Sequence, residues 1–332
     1  MAAKLLSVIV PGRNEEFMRH TVEDILAHSG EETEVISVND GYWCNPPLVQ
    51  HPRLQVIHFG EPVGQRAATN YGAHLSRAKY VMKMDAHCST DEGFDRKLIA
   101  KMQPDMTMIP SMHRLHIFDW VCDGCGEREY QGTKPKQCKV KECKGTEFTK
   151  AMVWQPRTEF KATAAWRFDR TLHFQYWREY KETEVYKKQA TSGIVETMSC
   201  NGCCFLMERK RFKKLGGMDE GHGSWGQFGT ELACKAWLSG GRLVANLDTW
   251  MAHLFRTGNF GKDGESSWPY PISQSAIDVA RKHSRELWLN NSWPMQKRPL
   301  SWLIEHFSPV PEWDDEAIKQ LKETESSFVP AT

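Results

Sequence analysis

Over its first hundred residues the chain alternates unbroken apolar runs with stretches of helical period, and this leaves few folds open. Residues 5–10, 34–38, 54–58, 80–84 and 106–109 read as strands; residues 14–28, 64–76 and a segment from about Phe94 read as helices. Strands joined by helical crossovers run parallel, because the crossover returns the chain to the same end of the sheet. The expected fold class is therefore α/β, a mainly parallel sheet with helices on both faces. Such sheets bind ligands beyond the carboxyl ends of their strands. Asn39-Asp40-Gly41 and Asp85-Ala86-His87 both fall at such ends, so they are expected to share one site.

Asp85 and His87 lie two residues apart where a strand meets a loop, which puts both side chains on one face. His253 ends a second strand far downstream. A carboxylate and imidazoles suit an octahedral Mn²⁺-like ion (or Mg²⁺) with water positions left open. In a nucleotide-binding fold such an ion carries a diphosphate. A loop aspartate and a half-buried histidine without metal would give the same residues.

After residue 117 the rhythm breaks. A lysine- and cysteine-rich insert occupies 118–150, an aromatic and charged stretch follows, and the α/β pattern resumes with a strand at 197–207. Helices are expected at 208–215 and 230–238, a strand at 242–246, and a helix at 272–289. Residues from about Thr257 to Pro271 have the Gly, Ser and Pro content of a mobile lid. Four regions follow: 1–117 holding the nucleotide, 118–150 as an insertion, 151–271 carrying the acceptor and metal half, and 272–332 as a helical extension.

The formal net charge of +1 gives no global field for or against nucleic acid. No stretch approaches the roughly 20 apolar residues that span a bilayer, and residues 1–11 lack the pattern of a signal peptide. The expectation is a cytoplasmic protein without a membrane partner, its ten cysteines reduced. Cys122-x2-Cys125 and Cys138-x4-Cys143 form two tight pairs joined by a polar loop, the arrangement of a tetrahedral structural Zn²⁺ site; four free thiols are the alternative. Cys200, Cys203 and Cys204 read as buried thiols.

The sequence resembles the nucleotide-sugar glycosyltransferases of GT-A fold, family 2 type, and among them the polypeptide N-acetylgalactosaminyltransferases. The resemblance rests on four ordered pieces: Val8-Ile9-Val10-Pro11-Gly12-Arg13-Asn14-Glu15; Val38-Asn39-Asp40-Gly41; the Asp85-Ala86-His87 motif; and Gly216-Gly217-Met218-Asp219-Glu220 through Trp225, Glu231 and Trp237 to His253-Leu254-Phe255-Arg256. It implies a UDP-sugar donor, held through Pro11, Arg13, Asn39, Asp40, Arg66, Asp85 and Ala86. It implies Mn²⁺ on Asp85, His87 and His253, Arg256 bracing a phosphate, and Trp225 shaping the sugar and acceptor cleft. The chain departs from the family where inverting members carry their base, since Phe228 and Gly229 stand there. That departure favours retention, with Glu231, Asp219 and Glu220 left as possible bases.

A version with a zinc ribbon also resembles glycosyltransferases of bacterial viruses, some of which are thought to add sugars to hydroxymethylated pyrimidines in DNA. Lysines and aromatics interleave from Lys134 to Arg170, a composition that can hold a phosphate backbone and stack a base. The expected acceptor is thus 5-hydroxymethylcytosine in DNA. A protein or polysaccharide acceptor, or a non-catalytic nucleic-acid-binding module, are the competing readings.

Overall fold

The computed structural model describes residues 4–256, 269–270 and 272–331, so most of the expected lid lies outside the described residues. Strands β1 (Leu6–Gly12), β2 (Thr33–Asp40), β3 (Leu54–Phe59) and β4 (Tyr80–Met84) alternate with helices α1 (Met18–His28) and α2 (Gln65–Leu75). β1 pairs in parallel with β2 and β4, and β2 with β3. Buried on both faces, β1, β2 and β4 are rich in apolar residues on both sides, which is why they stood out. The helices take opposite faces: Ile9 meets α2 at Gly72, whereas the opposite-facing Gly12 lies against Met18 of α1.

A short strand β5 (Cys88–Thr90) and helix α3 (Phe94–Ala100) lead into β6 (Met106–Cys122). The expected strand at 106–109 is the buried start of this longer one. Its outer half leaves the sheet and forms an arm with β7 (Arg128–Tyr130) and β8 (Phe148–Pro156). The hairpin β9 (Trp166–Phe168) and β10 (Phe174–Tyr176) follows, then α4 (Glu184–Ala190), β11 (Ile194–Glu196), β12 (Cys204–Glu208), α5 (Arg209–Lys214), α6 (Phe228–Leu238) and β13 (Arg242–His253). The sheet order is β11-β13-β6-β12-β4-β1-β2-β3. β12 runs antiparallel between β4 and β6, so the α/β sheet is mixed.

The strand expected at 197–207 is confined to β12; residues 197–203 form a loop. Gly202 there has φ +81°, and a Cβ on it would lie 2.6 Å from the Gly229 nitrogen. That close crossing, with Gly229 at the start of α6, is incompatible with a continued strand. Helices α7 (Gln274–Leu289), α8 (Leu300–His306) and α9 (Asp315–Thr324) complete the fold. α7 buries Ile277, Ala280, Ser284 and Trp288, a stripe at helical spacing, and Ser273 caps it by accepting the Ala276 amide. Among the described residues no helix is long and apolar enough to cross a membrane.

Candidate active site

The register of one short strand builds the centre of the site. β5 pairs antiparallel with the end of β13, setting His253 opposite Cys88, and the Leu254 amide donates to the His87 carbonyl at 3.1 Å. Asp85 ends β4, and its amide donates to the Cys203 carbonyl at 2.9 Å. Three lone-pair donors therefore converge. The Nε2 atoms of His87 and His253 are 3.1 Å apart, and His253 Nε2 is 3.2 Å from Asp85 Oδ2.

Charge around these donors keeps them in metal-ready forms. Burial alone would raise the Asp85 carboxyl, but the Lys83 ammonium in contact with it holds it well below the usual carboxylate range. Burial pushes His253 down to about 4, so its ring is neutral near pH 7. Glu15 faces His87 Nδ1 at 3.0 Å; accepting a hydrogen there leaves Nε2 as the lone pair aimed at the centre. Glu15 is itself buried, and His87 and Arg256 outweigh that burial to bring its carboxyl down to about 2. Two imidazole nitrogens and a carboxylate oxygen fit a divalent ion such as Mn²⁺. In the absence of a cation the two rings can share one N–H···N hydrogen bond, and a bound cation would take a lone pair from each instead.

This centre lies in a cavity of about 300 Å³. Pro11, Arg13, Asp40, Asp85, Ala86, His87, Trp225, His253 and Arg256, all singled out in the sequence, line it. Asp40 ends β2 and receives Arg13 Nε and Nη2 at 2.9 and 2.7 Å, together with the Val63 amide at 2.5 Å. The carboxylate thus fixes both Arg13 and the turn before α2. Tyr270 covers the Arg13 guanidinium, which lies 5.1 Å from its ring centre.

Three expected residues do not reach the cavity. Asn39 precedes Asp40 on the same strand, so its side chain points to the other face, where it is buried. Arg66 and Glu231 form a buried ion pair behind the wall, Arg66 Nε to Glu231 Oε2 being 2.7 Å. Glu231 also holds Lys235 at 2.8 Å and accepts the Asp219 amide at 2.5 Å, so its lone pairs are spent on the fold. Phe228, which the resemblance sets where inverting members carry a base, lies under the Lys83 and Arg66 cations at 4.6 and 5.4 Å. A Cβ on Gly229 would lie 2.0 Å from the Cys200 carbonyl oxygen, so no acidic residue fits there.

The sequence reading missed Glu15, Lys83 and Gln65. Gln65 Nε2 donates to Asp85 Oδ1 at 2.8 Å. Lys83 carried a usable signal, a charged residue inside an otherwise apolar strand, and it is completely buried.

Residues 7–120, spanning β1 to most of β6, match the glycosyl transferase family 2 model. Over this segment the chain is similar to family 2 glycosyltransferases. Polypeptide N-acetylgalactosaminyltransferase 5 of Caenorhabditis elegans is 22% identical over 300 residues, covering 86% of this chain and 41% of its own. Polypeptide N-acetylgalactosaminyltransferase 8 of Drosophila melanogaster is 43% identical over a shorter stretch of 60 residues, 18% of this chain and 10% of its own. The chain spans less than half the length of these relatives. The crystal structure of GalNAc-T7 with UDP, GalNAc and Mn²⁺ superimposes with a TM-score of 0.58 at 16% identity, over 97% of this chain and 54% of that one. The segment similar to family 2 thus sits in a GT-A type fold.

Proposed function

We propose that the protein transfers a sugar from a UDP-sugar to an acceptor hydroxyl in a divalent-metal-dependent reaction. The convergence of Asp85 Oδ2 and the two Nε2 atoms of His87 and His253 carries this reading, set in a cavity at the carboxyl ends of family 2 strands. Asp85, His87 and His253 would hold Mn²⁺, which when bound supplies charge stabilisation for a departing diphosphate. Arg13 and Arg256 present cations to the same cavity, each fixed by a carboxylate, so they need little ordering when an anionic donor enters. Trp225 lines the same cavity.

A retaining outcome is supported by the lack of a free carboxylate. Among the described residues the carboxylates lining the cavity are Glu15, Asp40 and Asp85, and each is held by cations or histidines. With no free carboxylate to act as base, the leaving phosphate oxygen takes the acceptor proton. The C1–O bond to phosphate breaks and the acceptor oxygen bonds C1 on the same face.

For the acceptor, the arm supports a hydroxymethylated base in DNA. Arg157 lies over Tyr130 and Phe160 at 5.0 and 4.6 Å, and both rings are substantially exposed, a set able to stack a base beside a phosphate. A second cavity of about 890 Å³, lined by Trp120, Tyr130 and Lys136, adjoins the first at Leu254 to Arg256. The test incubates protein, Mn²⁺ and a UDP-sugar panel with hydroxymethylcytosine DNA and, separately, Ser/Thr peptides. UDP release that EDTA stops, with a hexose or N-acetylhexosamine mass gain on the DNA, is expected. A gain on the peptides alone would move the acceptor to protein; no UDP release with any sugar would overturn the transferase reading.

A further inference from the structure

We propose that Cys122, Cys125, Cys138 and Cys143 hold a structural Zn²⁺ at the tip of the arm formed by β6, β7 and β8, a metal site independent of the Asp85 centre. The four sulfurs lie within 4.8 Å of one another, and the pairs Cys122–Cys143 and Cys125–Cys138 are each 3.6 Å apart. Zn–S bonds of about 2.3 Å in a tetrahedron require S···S edges of about 3.8 Å, so the sulfurs already stand almost at coordination spacing.

The backbone around them is shaped for thiolates. Cys122 opens a tight turn in which the Gly126 amide returns to its carbonyl at 2.8 Å; Cys143 closes another by donating to the Val140 carbonyl at 3.1 Å. Amides of Gly124 and Cys125 donate to the Cys122 sulfur, that of Val140 to Cys138, and that of Gly145 to Cys143. Amides aimed at sulfur offset negative charge that four neutral thiols would not carry. Gly145 has no room for a side chain, because a Cβ would lie 2.8 Å from the Cys122 sulfur.

The energetics require something besides packing. The apolar cluster at the tip consists of Cys122, Cys138 and Phe148, edged by Trp120, Val140 and Cys143. Half of that cluster is the proposed ligands themselves. A core this small does not order a loop of this length, and metal binding supplies folding free energy directly. Thiolate softness sorts the metals: four sulfurs select Zn²⁺, whereas the carboxylate–imidazole set accepts Mn²⁺.

The test is metal analysis of the full chain, purified without chelator from zinc-supplemented cells. One zinc per chain is expected, released when four thiols are titrated by a mercurial, retained in His253→Ala and lost in the double variant C125S/C138S. Because that double variant can misfold, wild-type protein reconstituted with Co²⁺ supplies a second readout: an intense near-ultraviolet sulfur-to-cobalt band with tetrahedral visible bands. Zinc-free folded protein, zinc that leaves with His253, a cobalt spectrum without thiolate bands, or an intact mass showing two disulfides would each overturn the proposal.

Discussion

The Nε2 atoms of His87 and His253 face each other at 3.1 Å across 166 residues of sequence. With Asp85 they form a group whose ligand atoms all lie within 4.8 Å of one another, so one metal ion could take a lone pair from each ring. Glu15 reinforces the arrangement by occupying the far nitrogen of His87.

Removing that support should weaken metal binding without dismantling the fold. Glu15→Gln is expected to lower Mn²⁺ affinity about 10–100-fold, the usual effect of losing a partner behind a ligand histidine. His253→Ala should lower it at least as far. Titration of Mn²⁺ followed by electron paramagnetic resonance checks both; unchanged affinity in His253→Ala would remove the metal from this site.

Glu231 separates a structural role from a catalytic one. Its carboxylate is fully buried against Arg66 and Lys235, so Glu231→Ala should cost about 3–5 kcal/mol by leaving buried cations unpaired. Denaturant unfolding measures this. Folded Glu231→Gln should keep most of its turnover, whereas loss of a general base would cost about 10²–10⁴-fold.

Restoring an acid at the family's base position should fail. Gly229→Asp places a Cβ 2.0 Å from the Cys200 carbonyl, and Gly229→Ala already carries that clash. Gly229→Ala is expected to lose about 1–3 kcal/mol of stability through overpacking. Neither variant should change the anomeric configuration of the product, which nuclear magnetic resonance reads directly.

His222 should give the stability an acid limb. Burial pushes its imidazole from 6.5 down to about 4, despite Glu231 and Asp219 nearby. As pH falls through 6.5 the unfolded chain takes up a proton that the folded chain refuses, so stability declines until about pH 4. The shift corresponds to about 3 kcal/mol. Above pH 7.5 this contribution is flat. Urea unfolding at pH 7.5 and 5, in wild type and His222→Gln, measures it; an equal decline in both would assign it elsewhere.

The sheet was legible where strands are buried on both faces, because β1, β2 and β4 are mostly apolar with only a few buried polar residues among them. The sequence also marked the ends of those strands, hence Asp40, Asp85 and His87. It could not show which partner a buried charge meets. Arg66 and Glu231 lie 165 residues apart and read as a nucleotide contact and a base, when the fold pairs them with each other. Asn39 failed for a simpler reason, since adjacent strand residues face opposite ways. The loop at 197–203 has strand composition, and only the close passage of Gly202 against Gly229 explains why it bends.

The pairing of β5 with the last residues of β13 also makes the centre depend on a late-synthesised part of the chain. Residue 253 leaves the ribosome 166 residues after His87, and β5 is its pairing partner. Until the segment ending at His253 docks beside Cys88, the nascent polypeptide holds only two of the three converging ligands. The three-ligand convergence is therefore complete only with the last strand of the sheet, and a chain truncated before it is expected to retain the segment 7–120 yet fail to bind Mn²⁺ at this centre.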